Sequence, residues 1–247
     1  MKLIQRFRSA AQNLGGDRPI LLAFLGDSVT QGCFELYTPT ECTLETEFRS
    51  YQAYHAKLRR MLEELYPSVP INILNAGISG DNAPNGLKRL DRDVLSFSPD
   101  LVVVCFGLND SMSGLEGLTA YAEALDGIFK ALRDAGTEAI FMTPNMMATE
   151  VTAETRDAYL RSVLENIACV QNGGILDAYM DRAREVCGAN DVPVCDCYRI
   201  WKTLAGSGVD TTRLLANRAN HPRETMHWLF AFQLLQTILS ETGRNTL

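Results

Sequence analysis

The run Leu101-Val102-Val103-Val104-Cys105-Phe106 constrains the fold most. It is apolar at every position and rich in β-branched residues, so neither face of it suits water. A strand of that kind belongs inside a parallel sheet, and parallel neighbours need crossover connections, usually helices. The chain supplies both. Apolar runs at 21–25, 71–76, 139–143 and 192–196 read as further strands. Between them, apolar residues recur at three- and four-residue spacing, as in Tyr54, Leu58, Met61, Leu62 and Leu65, or Leu118, Tyr121, Leu125, Ile128 and Leu132. Further helical stripes cover about 87–95, 160–167, 176–187 and 224–239. The alternation predicts one α/β domain over 1–247 with a five-stranded parallel sheet and right-handed crossovers. Residues 1–18 read as an N-terminal helical extension, broken by Gly15-Gly16-Asp17-Arg18-Pro19.

Composition narrows the partners. Hydrophobic residues make up 46% and charged residues 21%, enough for a substantial core. The net charge of -7, with no basic run, argues against nucleic acid or an anionic membrane as partner. The seven cysteines are odd in number and have no C-x-x-C spacing, so they read as reduced thiols rather than a zinc site. Cys195-Asp196-Cys197 points two thiols to one side of a strand end. The N-terminus lacks an apolar secretory segment and no stretch is long enough to span a membrane, so a cytoplasmic location is expected.

The chemistry gathers at strand ends. The first strand stops at Gly26-Asp27-Ser28, the second at Gly80-Asp81-Asn82, and the third at Asn109-Asp110. In a parallel sheet all three lie along the rim where ligands bind. Ser28 reads as a nucleophile. The backbone N–H groups of Ser28 and Gly80 and the side-chain amide of Asn109 could serve as oxyanion donors. The competing reading is that these residues only cap helices and form turns. Histidine is the expected base, and there are three. His55 lies on a helix, and His227 near the start of the last one. His221 precedes Pro222, which holds it extended in the loop before that helix, at the mouth of the sheet.

Gly26-Asp27-Ser28-Val29, Asn75-Ala76-Gly77-Ile78-Ser79-Gly80-Asp81, Gly107-Leu108-Asn109-Asp110 and His221-Pro222 resemble the four blocks of the SGNH (GDSL-type) hydrolases, in the family's order. The resemblance implies a three-layer, flavodoxin-like sheet of order 2-1-3-4-5. It implies Ser28 as nucleophile, His221 as general base, and Ser28, Gly80 and Asn109 as the oxyanion hole. It also implies ester hydrolysis with no metal and no organic cofactor. One position departs. The family places aspartate three residues before the histidine, and Arg218 stands there. Asn217, Asp196, Asp210 or a backbone carbonyl could orient the ring instead, giving a Ser–His dyad or an altered triad.

With neutral histidine as base, activity should fall as pH drops through roughly 6–7. Stretches at about 33–48, 111–117, 144–155 and 203–220 read as loops walling the site. They mix acidic residues with Tyr37, Phe48, Met112, Met146, Met147 and Trp201. These walls favour a small neutral O-acyl ester, with an acetylated sugar as candidate substrate. A short-chain lipase, lysophospholipase or thioesterase is the alternative. A catalytically weak binding protein of the same fold follows from the missing aspartate. A flavodoxin-like nucleotide binder follows from the α/β pattern alone, but no phosphate-binding glycine motif is present.

Overall fold

The apolar run at 101–105 forms a strand at the centre of a sheet, with all five residues buried. The computed structural model describes residues 2–240 apart from Leu14, Asp17, Pro39, Thr40 and Cys42, with only the backbone of Thr43 and Leu44. The chain runs through α1 (Lys2–Gln12), β1 (Ile20–Gly26), α2 (Ser28–Gln31), β2 (Cys33–Thr38), β3 (Thr43–Phe48) and α3 (Tyr54–Leu65). It continues with β4 (Ile71–Gly77), α4 (Ala83–Asp93), β5 (Leu101–Cys105), α5 (Leu108–Ser111) and α6 (Leu118–Asp134). Then come β6 (Glu138–Met142), α7 (Ala158–Asn172), α8 (Ile175–Ala189), β7 (Val194–Cys195), α9 (Cys197–Gly206) and α10 (His227–Ser240).

The main sheet has the order β4-β1-β5-β6-β7, and every pairing in it is parallel. This is the expected 2-1-3-4-5 order. From β1 the chain steps outward to β4 and then back across to β5. Right-handed crossovers therefore put α3 on one face and α4, α6 and α8 on the other. Contacts follow that division. α4 packs on α6 and α6 on α8, while α10 lies along α3 and touches α9. The reversal between β1 and β5 opens a crevice at the strands' carboxyl ends, and the Ser28 turn, the loop after β4 and α5 all meet there.

Helix α1 joins the core rather than trailing from it. Leu3, Ile4, Phe7 and Ala10 are buried, and Phe7 stacks on Tyr66 with ring centroids 4.5 Å apart. The carboxylate of Glu138 accepts from the backbone N–H groups of Lys2 and Leu3, at 2.8 Å each, at the helix start.

Two expectations are corrected. Residues 33–38 and 43–48 are not parts of a polar loop but the paired antiparallel strands β2 and β3 of a hairpin, in which Glu35 pairs with Thr46 and Leu36 with Glu45. Pro39 and Cys42 lie outside the described residues. In β2 the apolar Phe34 and Leu36 alternate with Glu35 and Tyr37, and the register sets Glu45 and Glu47 opposite Leu36 and Phe34, so Glu35 lies on the other face of the ribbon from those two glutamates. Second, residues 197–206 form helix α9, whose Trp201 is buried in the core, and Met146 and Met147 are core residues too. None of these three side chains belongs to an open wall.

Candidate active site

Strand β1 delivers the serine. Asp27 caps the single turn α2, its Oδ1 accepting from Val29 N at 2.9 Å, and Gly32 closes that turn in the left-handed conformation with φ 87°. Ser28 is the first residue of the turn and is buried. The Asp27 carboxyl is also buried, which pushes its pKa up to about 7, with the charges of Asp110 and Asp81 adding to the rise.

The loop after β4 is bound to this turn. Ile78 N donates to Gly26 O at 3.1 Å, and Ser79 N to the Gln31 side chain at 2.7 Å. Gly80 has φ 78°, a conformation that strains any residue with a Cβ, and a Cβ there would meet no protein atom. Beneath the loop, the buried Arg89 donates to Asp81 Oδ2 at 2.7 Å, Ala76 O at 2.7 Å and Gly26 O at 3.0 Å. One guanidinium thus ties together the ends of β1 and β4 and the Gly80 loop. Asn109, in α5, donates from Nδ2 to Asp81 O at 2.8 Å. An amide has two N–H donors, so a second remains for another acceptor. Asp110 Oδ1 accepts from Ala83 N at 2.9 Å, and burial pushes its pKa up to about 6.

His221 meets Ser28 from the far end of the chain. Its Nε2 lies 2.7 Å from Ser28 Oγ. Its loop is shaped by Asn217, whose Oδ1 accepts from the backbone N–H groups of Ala219, Asn220 and His221, each at 3.0 Å. Ala216 N donates to His221 O at 2.7 Å, and Asn145 Nδ2 donates to Asn220 O at 2.8 Å. Burial holds the imidazole below its ordinary pKa, and the Glu35 carboxylate pulls the other way. Glu35 Oε2 stands 3.6 Å from His221 Nδ1 and accepts from Asn217 Nδ2 at 3.1 Å.

The residues singled out from the sequence thus fall into two sets. Ser28 and His221 are in contact, and Gly80 and Asn109 sit on segments joined through Asp81. The suggested ring partners lie elsewhere. Asp196 caps α9 and pairs with Arg184, and Asp210 pairs with Arg213. Asn217 binds backbone and Glu35 rather than the ring. His55 and His227 are buried, His55 against Thr30 O at 3.1 Å and His227 Nδ1 accepting from Tyr54 N at 3.1 Å. Glu35 and Arg89 were not anticipated. The two-residue alternation of β2 was the signal available for Glu35. Cys33 Sγ, a Glu35 oxygen and a His221 ring nitrogen lie within 4.8 Å of one another, a grouping that could hold a metal ion. The Cys33 thiol is pushed up to about 11, chiefly by burial and then by Glu35, so it is neutral near pH 7. Cys195 and Cys197 are free, with sulfurs 3.7 Å apart.

A 2-1-3-4-5 parallel sheet with a serine–histidine contact at its switch point defines an SGNH-type hydrolase fold. The chain belongs to the GDSL-like lipase/acylhydrolase family, a class of carboxylic ester hydrolases, whose profile matches residues 24–229. That is the family the four sequence blocks pointed to. An acetylxylan esterase of Geobacillus stearothermophilus is 34% identical over 89 residues, 36% of this chain and 39% of the relative. An arylesterase of Vibrio mimicus is 31% identical over 72 residues, 29% of this chain and 36% of the relative. The matched segments therefore span under two fifths of those relatives. The crystal structure of a lipase/acylhydrolase from Enterococcus faecalis is similar over 90% of this chain and 96% of that one, with a TM-score of 0.65 and 21% identity, a likeness of fold. Among the described residues, no helix is long and apolar enough to cross a membrane.

Proposed function

We propose that this protein is a serine esterase that hydrolyses small O-acyl esters, with O-acetylated carbohydrate as the preferred class. The 2.7 Å contact between Ser28 Oγ and His221 Nε2, at the rim shared with Gly80 and Asn109, carries the reading. His221 Nε2 takes the Ser28 proton as Oγ attacks the ester carbonyl. The N–H groups of Ser28 and Gly80 and the free amide hydrogen of Asn109 receive the oxyanion, each donor worth about 10²–10³ in rate. The tetrahedral intermediate collapses, His221 protonates the departing alkoxide, and an alcohol and acyl-Ser28 result. Water, deprotonated by His221, then attacks the acyl carbonyl, releasing the carboxylic acid and free Ser28.

The acetyl-sugar preference is supported by the acetylxylan esterase relative and by the placement of Met146 and Met147 in the core, which removes two apolar side chains from any long acyl groove. The test is hydrolysis of p-nitrophenyl acetate and octanoate, with acetate release from acetylated xylo-oligosaccharides. Acetyl ester should be cleaved at least tenfold faster, and Ser28→Ala should reduce the rate by about 10⁴ or more. Faster cleavage of octanoate would favour a lipase, and no hydrolysis at all would leave a binding protein.

A further inference from the structure

We propose that Glu35, on the hairpin strand β2, is the positioning carboxylate for His221, in place of an aspartate three residues before it. The inference rests on the reading of Ser28 and His221 as nucleophile and base. A histidine that takes the serine proton becomes an imidazolium and needs an anion at its other nitrogen to fix the tautomer and offset the charge. Here that nitrogen, Nδ1, is buried, has no hydrogen-bond partner among the described residues, and faces Glu35 Oε2 at 3.6 Å. The distance is that of an ion pair, and such contacts in unliganded enzymes commonly tighten when substrate binds.

Two further features hold the carboxylate where it stands. Asn217 donates to the same Oε2 at 3.1 Å while its own oxygen organises the His221 loop, so one side chain sets both partners. The hairpin is also docked on that loop through Tyr37 N to Ala216 O at 3.3 Å. Arg218, at the position where the aspartate would stand, is a cation in the left-handed region, with φ 55°. The acid has therefore moved from the loop of the base to the ribbon that follows the nucleophile.

Glu35 is about a third exposed, with 30% of its side chain accessible, so its field is partly screened. The effect of removing it should be smaller than the roughly 10⁴-fold loss seen for a fully buried triad aspartate. Glu35→Gln should lower kcat by about 10- to 10³-fold. KM should change less than threefold. The charged and titratable groups facing the ring are Glu35 and Cys33 from the hairpin, and His227 from α10. Of these, Glu35 alone raises the imidazole's proton affinity at neutral pH. The acid limb of the Glu35→Gln pH–rate profile should therefore move to lower pH while the plateau falls. General loosening of the fold would not produce that combination.

A second measurement needs no variant. In wild-type protein with Ser28 trapped by a fluorophosphonate, the Nδ1 proton of His221 should resonate far downfield, as expected when it is shared with a carboxylate. Wild-type kcat and an unmoved acid limb in Glu35→Gln, with Ser28→Ala inactive, would overturn the role of Glu35 and leave the esterase reading intact. Absence of the downfield proton would overturn it as well. So would loss of wild-type activity on chelation with EDTA, because Cys33, Glu35 and His221 would then be holding a metal. Retained activity in Ser28→Ala would instead overturn the esterase reading itself.

Discussion

At the scale of single residues, burial sets how the site responds to pH. Desolvation lowers the pKa of His221 below 6.5, and Glu35 only partly opposes it. The base stays neutral, and active, further into acid than an exposed histidine would. The fall in kcat/KM should thus come below pH 6.5, under the window expected from an unperturbed imidazole, and a pH–rate profile on p-nitrophenyl acetate reads it directly. Asp27 shifts in the opposite direction. Its pKa is 3.8 unperturbed and about 7 in the folded protein, so the native chain holds a proton that the unfolded chain releases over that interval. Stability from this group is full below pH 3.8 and lost as pH rises through about 7. Asp27→Asn keeps an oxygen to cap α2 but never ionises. It should stabilise the protein by on the order of a few kcal/mol at pH 8 and by roughly a third of that at pH 5, as measured by urea unfolding at both values. Ser28, Gly80, Asn109 and His221 stand out in the sequence as candidates because each lies within a few residues of a strand end or directly before a proline. Glu35 does not, because its role depends on a loop that reaches it from 182 residues away through Asn217.

Among the elements, the buried strands and the helices with clear apolar stripes were legible, since their patterns follow from burial on two faces or one. The hairpin and α9 were not. Glu35, Glu45 and Glu47, spread over both faces of the ribbon, imitate a loop because they dilute its apolar pattern. α9 begins directly after a strand of two residues, which leaves little pattern to separate them. Between elements, Arg89 is the joint with the most at stake. It is 8% exposed and its partner Asp81 is 7% exposed, and both would be costly to leave unpaired. Arg89→Met removes the charge and three hydrogen bonds to the ends of β1, β4 and the Gly80 loop. It should cost about 3–5 kcal/mol in urea unfolding, and because the Gly80 donor shifts, kcat should fall more than KM rises.

Across the whole molecule, the net charge of -7 bears on substrate choice. On that net charge, a neutral acetyl ester should meet no long-range electrostatic barrier, whereas an ester carrying a carboxylate should be repelled. The KM for such an anionic aryl acetate should exceed that of its neutral analogue, and the gap should narrow as salt is raised from 20 to about 300 mM, where the Debye length falls below about 8 Å. Asn217 also has a consequence for how the protein ages. Its amide oxygen fixes the loop of the base, and its amide nitrogen is hydrogen-bonded to the Glu35 carboxylate. Spontaneous hydrolysis of that one amide would leave the first function intact and replace the second with a carboxylate facing a carboxylate. The hairpin would be pushed off the loop while the sheet stayed whole. A stored sample would then lose turnover long before it lost its fold, with a mass gain of about one dalton on a single peptide as the record.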